Sequence, residues 1–475
     1  MSHENGKDAY SEFLKAKLVH DVPTGITDLS KYQINPMLFD FQKDIVVWAL
    51  KRGRACIWAQ CGLGKTFMQL EWGRVVADYT QKPVLIIAPL AVSEQTSRDE
   101  APKLGLTCKI CADMSDVEQG LNISNYEKLD KFDLSQFGGI VADESSIMKN
   151  FAGKIRNQLI TAVVKVPFRL ACTATPAPND FMEIGNHAEF VGAMTYHEML
   201  SMFFVHDGGD TAKWRLKGHA RKAFFAWVAE WAVMIRKPSD LGYSDDGFIL
   251  PELRIHENVV KTKALEGYLF PLEAKTLQEQ SAARRESVDE RVEESDRIIR
   301  EHDPDGQWLV WTNLNTEADG MATKRKEFGM MNVQGSDDND YKAETMLGFA
   351  HGKVKELVSK PKIAGFGMNW QSCHNVIFLG ISHSFESYFQ AVRRCWRFGQ
   401  THPVDVYIVT ADTEGNVVAN IKRKERDSDI LYAEMVAYMK DVNMNEIHAI
   451  QRDMTDYKPT LKTVIPSFLQ TKKAQ

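Results

Sequence analysis

Short, wholly apolar runs recur along the first third of the chain, at residues 55–58, 84–87, 139–142 and 168–172, with longer mixed segments between them. Runs this short, apolar throughout and rich in β-branched residues, predict parallel strands buried on both faces and joined by helices. The rhythm stops near residue 180. Beyond it, residues 186–204 and 220–235 are aromatic-rich with helical spacing. Residues 261–300 are dense in Glu, Arg, Lys, Ala and Leu and predict a long helix whose charges form a solvated face. Strand-like runs resume at 308–311, 362–364, 376–379 and 404–409, and the chain closes on a helical stretch and an irregular tail. The pattern predicts an α/β protein of two parallel-sheet lobes. The expected divisions are an N-terminal extension over 1–35, a first lobe over 36–180, a helical insertion over 181–304, a second lobe over 305–420, and a C-terminal helix and tail over 421–475.

Composition narrows the class without naming a partner. At 475 residues, 44% hydrophobic and 26% charged, the chain is long enough for more than one core. No apolar run approaches the roughly 18 residues of a membrane span, and residues 1–17 are too polar for a signal peptide. Seven scattered cysteines, most inside apolar runs, suit a reducing cytoplasm. Cys108 and Cys111 have zinc-knuckle spacing, but no second pair completes four ligands, so they read as structural. A net charge of −6 excludes a general polyanion binder and leaves room for a local basic cleft.

The sharpest chemistry lies in Ala59-Gln60-Cys61-Gly62-Leu63-Gly64-Lys65-Thr66, which follows an apolar run and opens a helix. Glycines let backbone N–H groups turn inward around a phosphate, and the helix N-terminus favours an anion. Gly62, Leu63 and Gly64 would form that cradle. Lys65 would meet the β- and γ-phosphates of ATP, and Thr66 would hold Mg²⁺. The strict pattern has Gly where this chain has Ala59. Downstream, Gly139-Ile140-Val141-Ala142 delivers Asp143 and Glu144 to a strand end. There Asp143 would reach the metal shell through water, and Glu144 would orient or deprotonate the attacking water. Hydrolysis also needs a cation on the transferred phosphoryl group. Arg394 and Arg397, three apart and therefore on one helical face, are the candidates.

Together these segments resemble superfamily-two helicases, and specifically the Swi/Snf-type DNA translocases. Arg394, Arg397, Gly399 and Gln400 match the family's sixth motif, in which Trp396 replaces the usual His and Arg393 is an extra cation. Gly365, Gly367 and Asn369 match the fifth. Phe41-Gln42 with Trp48 is similar to the opening motif, which implies that Gln42 recognises adenine. Ala88-Pro89, Asn125-Tyr126-Glu127, Lys149-Asn150 and Thr173-Ala174-Thr175-Pro176 fall in the family's order, as do Ile235-Arg236-Lys237 and Leu250-Pro251. The resemblance covers residues 36 to about 410 and implies two RecA-like lobes with ATP between them. It is closest to compact helicase-like proteins of phages and prophages, which implies the cytoplasm of a bacterial or phage-infected cell.

The implied activity is ATP-driven movement on DNA, duplex and independent of sequence, with phosphate contacts carrying the grip. An RNA helicase is the rival within the enzyme class. A nucleotide-gated DNA clamp serving a methyltransferase, nuclease or replication protein is the rival outside it. Lys422, Arg423, Lys424 and Arg426 read as a solvated helix face rather than as part of the DNA track.

Overall fold

The computed structural model describes residues 24–149, 153–178, 180–207, 210–262, 277–364, 368–382, 384–412, 414 and 417–452. The first lobe contains β1 (Arg54–Ala59), β2 (Val84–Ala88), β3 (Cys108–Ile110), β4 (Leu121–Asn125), β5 (Gly139–Asp143) and β6 (Phe168–Thr173). The antiparallel hairpin of β7 (Phe204–Asp207) and β8 (Asp210–Leu216) follows, then β9 (Ala232–Ile235). Among the described residues, the strands other than this hairpin form one parallel sheet in the order β3-β4-β2-β5-β6-β1-β9. Alternation divides each strand between two cores. Cys56 and Trp58 of β1 enter the cluster on one face, and Ala55, Ile57 and Ala59 the cluster on the other. Burial on both faces explains why these strands read as continuous apolar runs.

The second lobe is a parallel sheet of β10 (Leu253–Val260), β11 (Trp308–Thr312), β12 (Met331–Val333), β13 (Glu356–Ser359), β14 (Asn375–Leu379) and β15 (Val404–Ala411). Its order is β10-β15-β14-β11-β13-β12. Leu309 and Trp311 face one core and Trp308 and Val310 the other. Two RecA-like α/β lobes are therefore present.

The segment expected as a separate insertion, 181–304, is shared between the lobes. β9 pairs with β1 in the first sheet and β10 with β15 in the second. β9 follows the helix Arg221–Trp231 directly, with no Gly or Pro between, so its apolar residues continued the helical pattern. β10 is a half-exposed edge strand with His256, Glu257 and Asn258 in it, and it lacks the apolar signature. Residues 362–364 are helical, in Pro361–Ala364, and the strand lies just before them at β13. Proline lacks the N–H that a sheet position needs.

The charge-dense stretch forms the helices Leu277–Glu286 and Val288–His302, and residues 263–276 lie outside the described set. Its charges are not all solvated. Arg291 is fully buried and paired with Glu317 at 2.7 Å, and Asp296 pairs with Arg325 at 2.7 Å.

After β15 the chain enters one helix, Val417–Arg452, about 54 Å long at the usual rise. It starts in the second lobe's core with Val417 and Ile421, then crosses to the first, where Tyr432, Met435, Val436 and Met439 are buried. Asn443 donates to the Ala232 carbonyl at 3.1 Å, and Glu446 accepts from Trp48 Nε1 at 2.8 Å. The helix thus straps the two lobes together. On its exposed face Arg423 pairs with Asp427 at 3.2 Å, and Lys422 pairs with Glu257.

Candidate active site

β1 ends at Ala59 and the helix Lys65–Thr80 begins six residues on. The loop between them turns back through left-handed backbone at Gly62 (φ 88°) and Gly64 (φ 77°), which glycine adopts without strain. Gly62 is also required sterically, and a side chain at Gly64 would displace the Gln42 amide. A Cβ on Gly64 would lie 2.3 Å from Gln42 Nε2, and one on Gly62 would lie 2.7 Å from the backbone N of Phe398 in the other lobe. The helix has no acidic residue in its first turn, so nothing opposes an anion at its N-terminus. Lys65 Nζ donates to the Ala59 carbonyl at 2.9 Å, folded back across the loop. Thr66 follows it on the first helical turn.

Gln42 is buried and bridges the cradle to its own helix. Its Nε2 donates to the Leu63 carbonyl at 2.9 Å, and its Oε1 accepts from the Phe39 N–H at 2.9 Å. Phe39 in turn packs on Phe248 and Phe398.

Asp143 closes β5 at the centre of the first sheet, two strands from β1. Gln69 Nε2 donates to its carboxylate at 2.6 Å, and Tyr126 OH donates to its carbonyl at 2.6 Å. Burial, and then the charge of Glu144, push the Asp143 carboxyl up to about 6, while Gln69 and Lys65 pull the other way. Glu144 sits at φ 48°, a region that non-glycine residues enter only under constraint. It is 7% exposed, and its Oε2 has no hydrogen-bond partner among the described residues. A buried carboxylate oxygen left bare at a strained position is unusual enough to demand an occupant. Thr175 Oγ1 is likewise buried without a partner, close to the end of β6.

The second lobe presents its arginines from the segment after the helix Phe385–Val392. Arg394 is almost wholly consumed internally. It donates to the Gln390 carbonyl and to Gln390 Oε1, each at 2.9 Å, and to the Met368 carbonyl at 3.3 Å. Arg397 makes a 3.3 Å bond to Met368 and is half-buried. Burial and Arg394 lower its guanidinium to about 10, against the attraction of Cys61, Glu100 and Glu144 of the first lobe. Arg397 therefore lies within the electrostatic reach of Glu144. Asn369 Nδ2 donates across the cleft to Glu100 at 2.7 Å, and Lys149 pairs across it with Glu386. Gly365, Gly367 and Asn150 lie outside the described residues.

The structure thus brings Gln42, Gly62, Leu63, Gly64, Lys65, Thr66, Asp143, Glu144 and Arg397 to one interlobe cleft. Three contributors escaped the sequence reading. Gln69 lies one turn beyond Lys65 on the same helical face, a spacing that could have revealed it. Glu100 and Glu386 have no local signal, because their partners are in the other lobe. Cys108 and Cys111 are buried thiols, pushed by burial up to about 12 and about 11, and Cys111 contacts Asn122 Oδ1 at 3.4 Å.

Comparison with known proteins gives a family match, a relative and a solved structure. Residues 290–399 match the helicase conserved C-terminal domain, a span that starts within the expected insertion and ends in the sixth motif. A protein, p41, of Acyrthosiphon pisum secondary endosymbiont phage 1 is 28% identical over 193 residues, 34% of this chain. The match spans 42% of that relative's length. The Sulfolobus solfataricus SWI2/SNF2 ATPase core in complex with dsDNA aligns over 88% of this chain and 98% of its own, with 18% identity and a TM-score of 0.40. The chain thus carries a match to the helicase conserved C-terminal domain across most of the second of its two parallel-sheet lobes.

Proposed function

We propose that the protein is an ATP-dependent DNA translocase that hydrolyses ATP between its lobes and converts lobe closure into movement along duplex DNA. The observation that carries the reading is the buried Glu144 Oε2, without a hydrogen-bond partner among the described residues, on the lobe that holds the glycine cradle, with the Phe398 backbone of the other lobe against Gly62.

In this mechanism the N–H groups of Gly62, Leu63 and Gly64 receive the phosphates. Lys65 leaves the Ala59 carbonyl to meet the β- and γ-phosphates, and Gln42 reads the adenine edge. Thr66 and, through water, Asp143 would hold Mg²⁺, which would supply positive charge to offset that of the phosphates. The chemistry of these oxygen donors fits a hard cation. Glu144 aligns the attacking water and accepts its proton at Oε2. Arg397 meets the charge that develops on the transferred group, and Gly367 is proposed as a further nucleotide contact. Arg394 braces the Gln390–Met368 framework from which Arg397 reaches, and approaches the phosphates itself only if the lobes rearrange. Asn369–Glu100 and Lys149–Glu386 are contacts that closure makes and opening breaks.

Triplex displacement tests the movement. ATP-dependent release of a third strand from duplex DNA is the expected result. Hydrolysis stimulated by DNA but without strand release, together with ATP-dependent binding of a partner enzyme, would replace the motor by the clamp. Stimulation by RNA alone would replace it by an RNA helicase.

A further inference from the structure

Beside the P-loop is a second cavity, of about 530 Å³, walled by Gln60 to Leu63 on one side but by none of Lys65, Thr66, Asp143 or Glu144. Its other walls come from three places: Arg236 and Lys237 after β9, Phe248 in the interlobe connection, and Arg393, Trp396 and Phe398 of the second lobe. The long C-terminal helix supplies the rim through Ala433 and Ala437. The two positions at which the sixth motif departs from its family pattern, Arg393 and Trp396, both line this space.

Arg393 is 8% exposed, and its Nε has no hydrogen-bond partner among the described residues. The guanidinium is held flat between rings, 4.2 Å from the Trp396 centroid and 5.1 Å from that of Phe389. Trp396 is itself fixed by a 2.7 Å bond from Nε1 to the Pro251 carbonyl. Of the acids near Arg393, Asp429 is hydrogen-bonded to Arg236 at 2.9 Å, and Glu425 acts at longer range. The one carboxylate that lines the cavity, Asp240, is taken up by the backbone N–H groups of Arg236 and Lys237 at 2.7 and 3.0 Å. Three cations thus surround the space, and the most buried of them has a donor to spare. A buried donor without an acceptor costs on the order of 1–3 kcal/mol, more when charged, so a native fold keeps one where something else satisfies it.

We propose that this cavity, which adjoins the ATP cradle along Gly62 and Leu63, is a second ligand site, for a small oxyanion carrying a planar apolar body. The oxyanion sits on Arg393 with Arg236 beside it, and the planar body lies against Phe248, Phe398 and Trp396. Guanidinium is suited to this role because its planar fork binds carboxylate, phosphate or sulfonate oxygens in pairs. The volume lies in the range of small-molecule sites.

The test uses 8-anilinonaphthalene-1-sulfonate, a sulfonate on a planar aromatic body, with the full-length chain saturated in ADP and Mg²⁺. One-to-one binding with enhanced fluorescence is expected, unaffected by the nucleotide. Arg393→Met should weaken it about tenfold or more through loss of a charge-assisted bond. Ala437→Trp, at an exposed position on the rim, should block it while leaving the thermal melt unchanged. Binding indifferent to both substitutions would overturn the proposal, and stoichiometric displacement by ADP would make the cavity part of the nucleotide site. Neither result depends on whether the protein hydrolyses ATP or moves on DNA.

Discussion

The two lobes are built alike and hold their site charges in opposite ways. In the first, Glu144 Oε2 and Thr175 Oγ1 are buried with no partner among the described residues, and Lys65 is parked on a neighbouring carbonyl. In the second, Arg394 makes three internal bonds, and the Gln400 amide donates to the Cys373 and Cys395 carbonyls at 2.9 and 3.2 Å. The first lobe keeps reactive groups unsatisfied around a cradle. The second spends Arg394 and Gln400 on rigidity, so that Arg397 is delivered in a fixed place. Preorganisation of this kind lets a charge act on a transition state without reorganising at the moment of reaction.

The comparison breaks most visibly at the arginines. Arg397→Ala should lower kcat by about a thousandfold, the scale of a lost arginine finger, with the melting temperature nearly unchanged. Arg394→Ala should instead destabilise the second lobe by roughly 2–3 kcal/mol, because it leaves buried carbonyls unpaired, and its loss of activity should follow its loss of fold. A denaturant melt and a turnover assay on both variants decide the matter. Equal loss of activity from two equally stable variants would show that Arg394 also touches the phosphates.

A smaller effect sharpens the first lobe's side of the contrast. Burial raises the Asp143 carboxyl from 3.8 to about 6, so its charged form opposes folding. Stability from this group is present in acid and is lost as pH rises through about 6, and Mg²⁺ should restore it by favouring the carboxylate. Activity runs the other way. The kcat/KM profile should fall on the acid side near pH 6 as the Asp143 carboxyl takes up a proton. Gln69 favours the charged form, so Gln69→Ala should move the limb to higher pH. An unmoved limb would remove Gln69 from the site's electrostatics.

The weakest effect concerns closure. Lys149 is 38% exposed at its pair with Glu386, so Glu386→Gln should cost under about 1 kcal/mol of stability. A raised KM for ATP at constant kcat would tie that pair to closure, and no change in either would confine it to the surface.

What the sequence revealed follows from how far apart the cooperating residues lie. The cradle from Gly62 to Thr66 and the pair Asp143–Glu144 are each contiguous, and their chemistry is written in local spacing. Strands β1, β2, β5, β6, β11, β14 and β15 declared themselves as apolar runs, while the buried β4 and β13, with Asn122, Ser124 and Glu356 in them, did not. β9 and β10 did not: one continues a helix without a breaker, and the other is a polar edge strand, so residues 181–304 read as an insertion when they complete both sheets. The contacts of Phe398 with Gly62 and of Asn369 with Glu100 join residues hundreds of positions apart, and no local pattern encodes them. Arg394 and Arg397 look equivalent in sequence. Only the carbonyls around them set their roles apart.

The central claim is tested most directly by ATP hydrolysis measured without nucleic acid and with duplex DNA, single-stranded DNA or RNA, each beside Glu144→Gln. The account predicts strong stimulation by duplex DNA and a loss of about a hundredfold or more in the variant, with ATP binding retained. Absence of hydrolysis in every arm, or a Glu144→Gln protein as active as the parent, would contradict it.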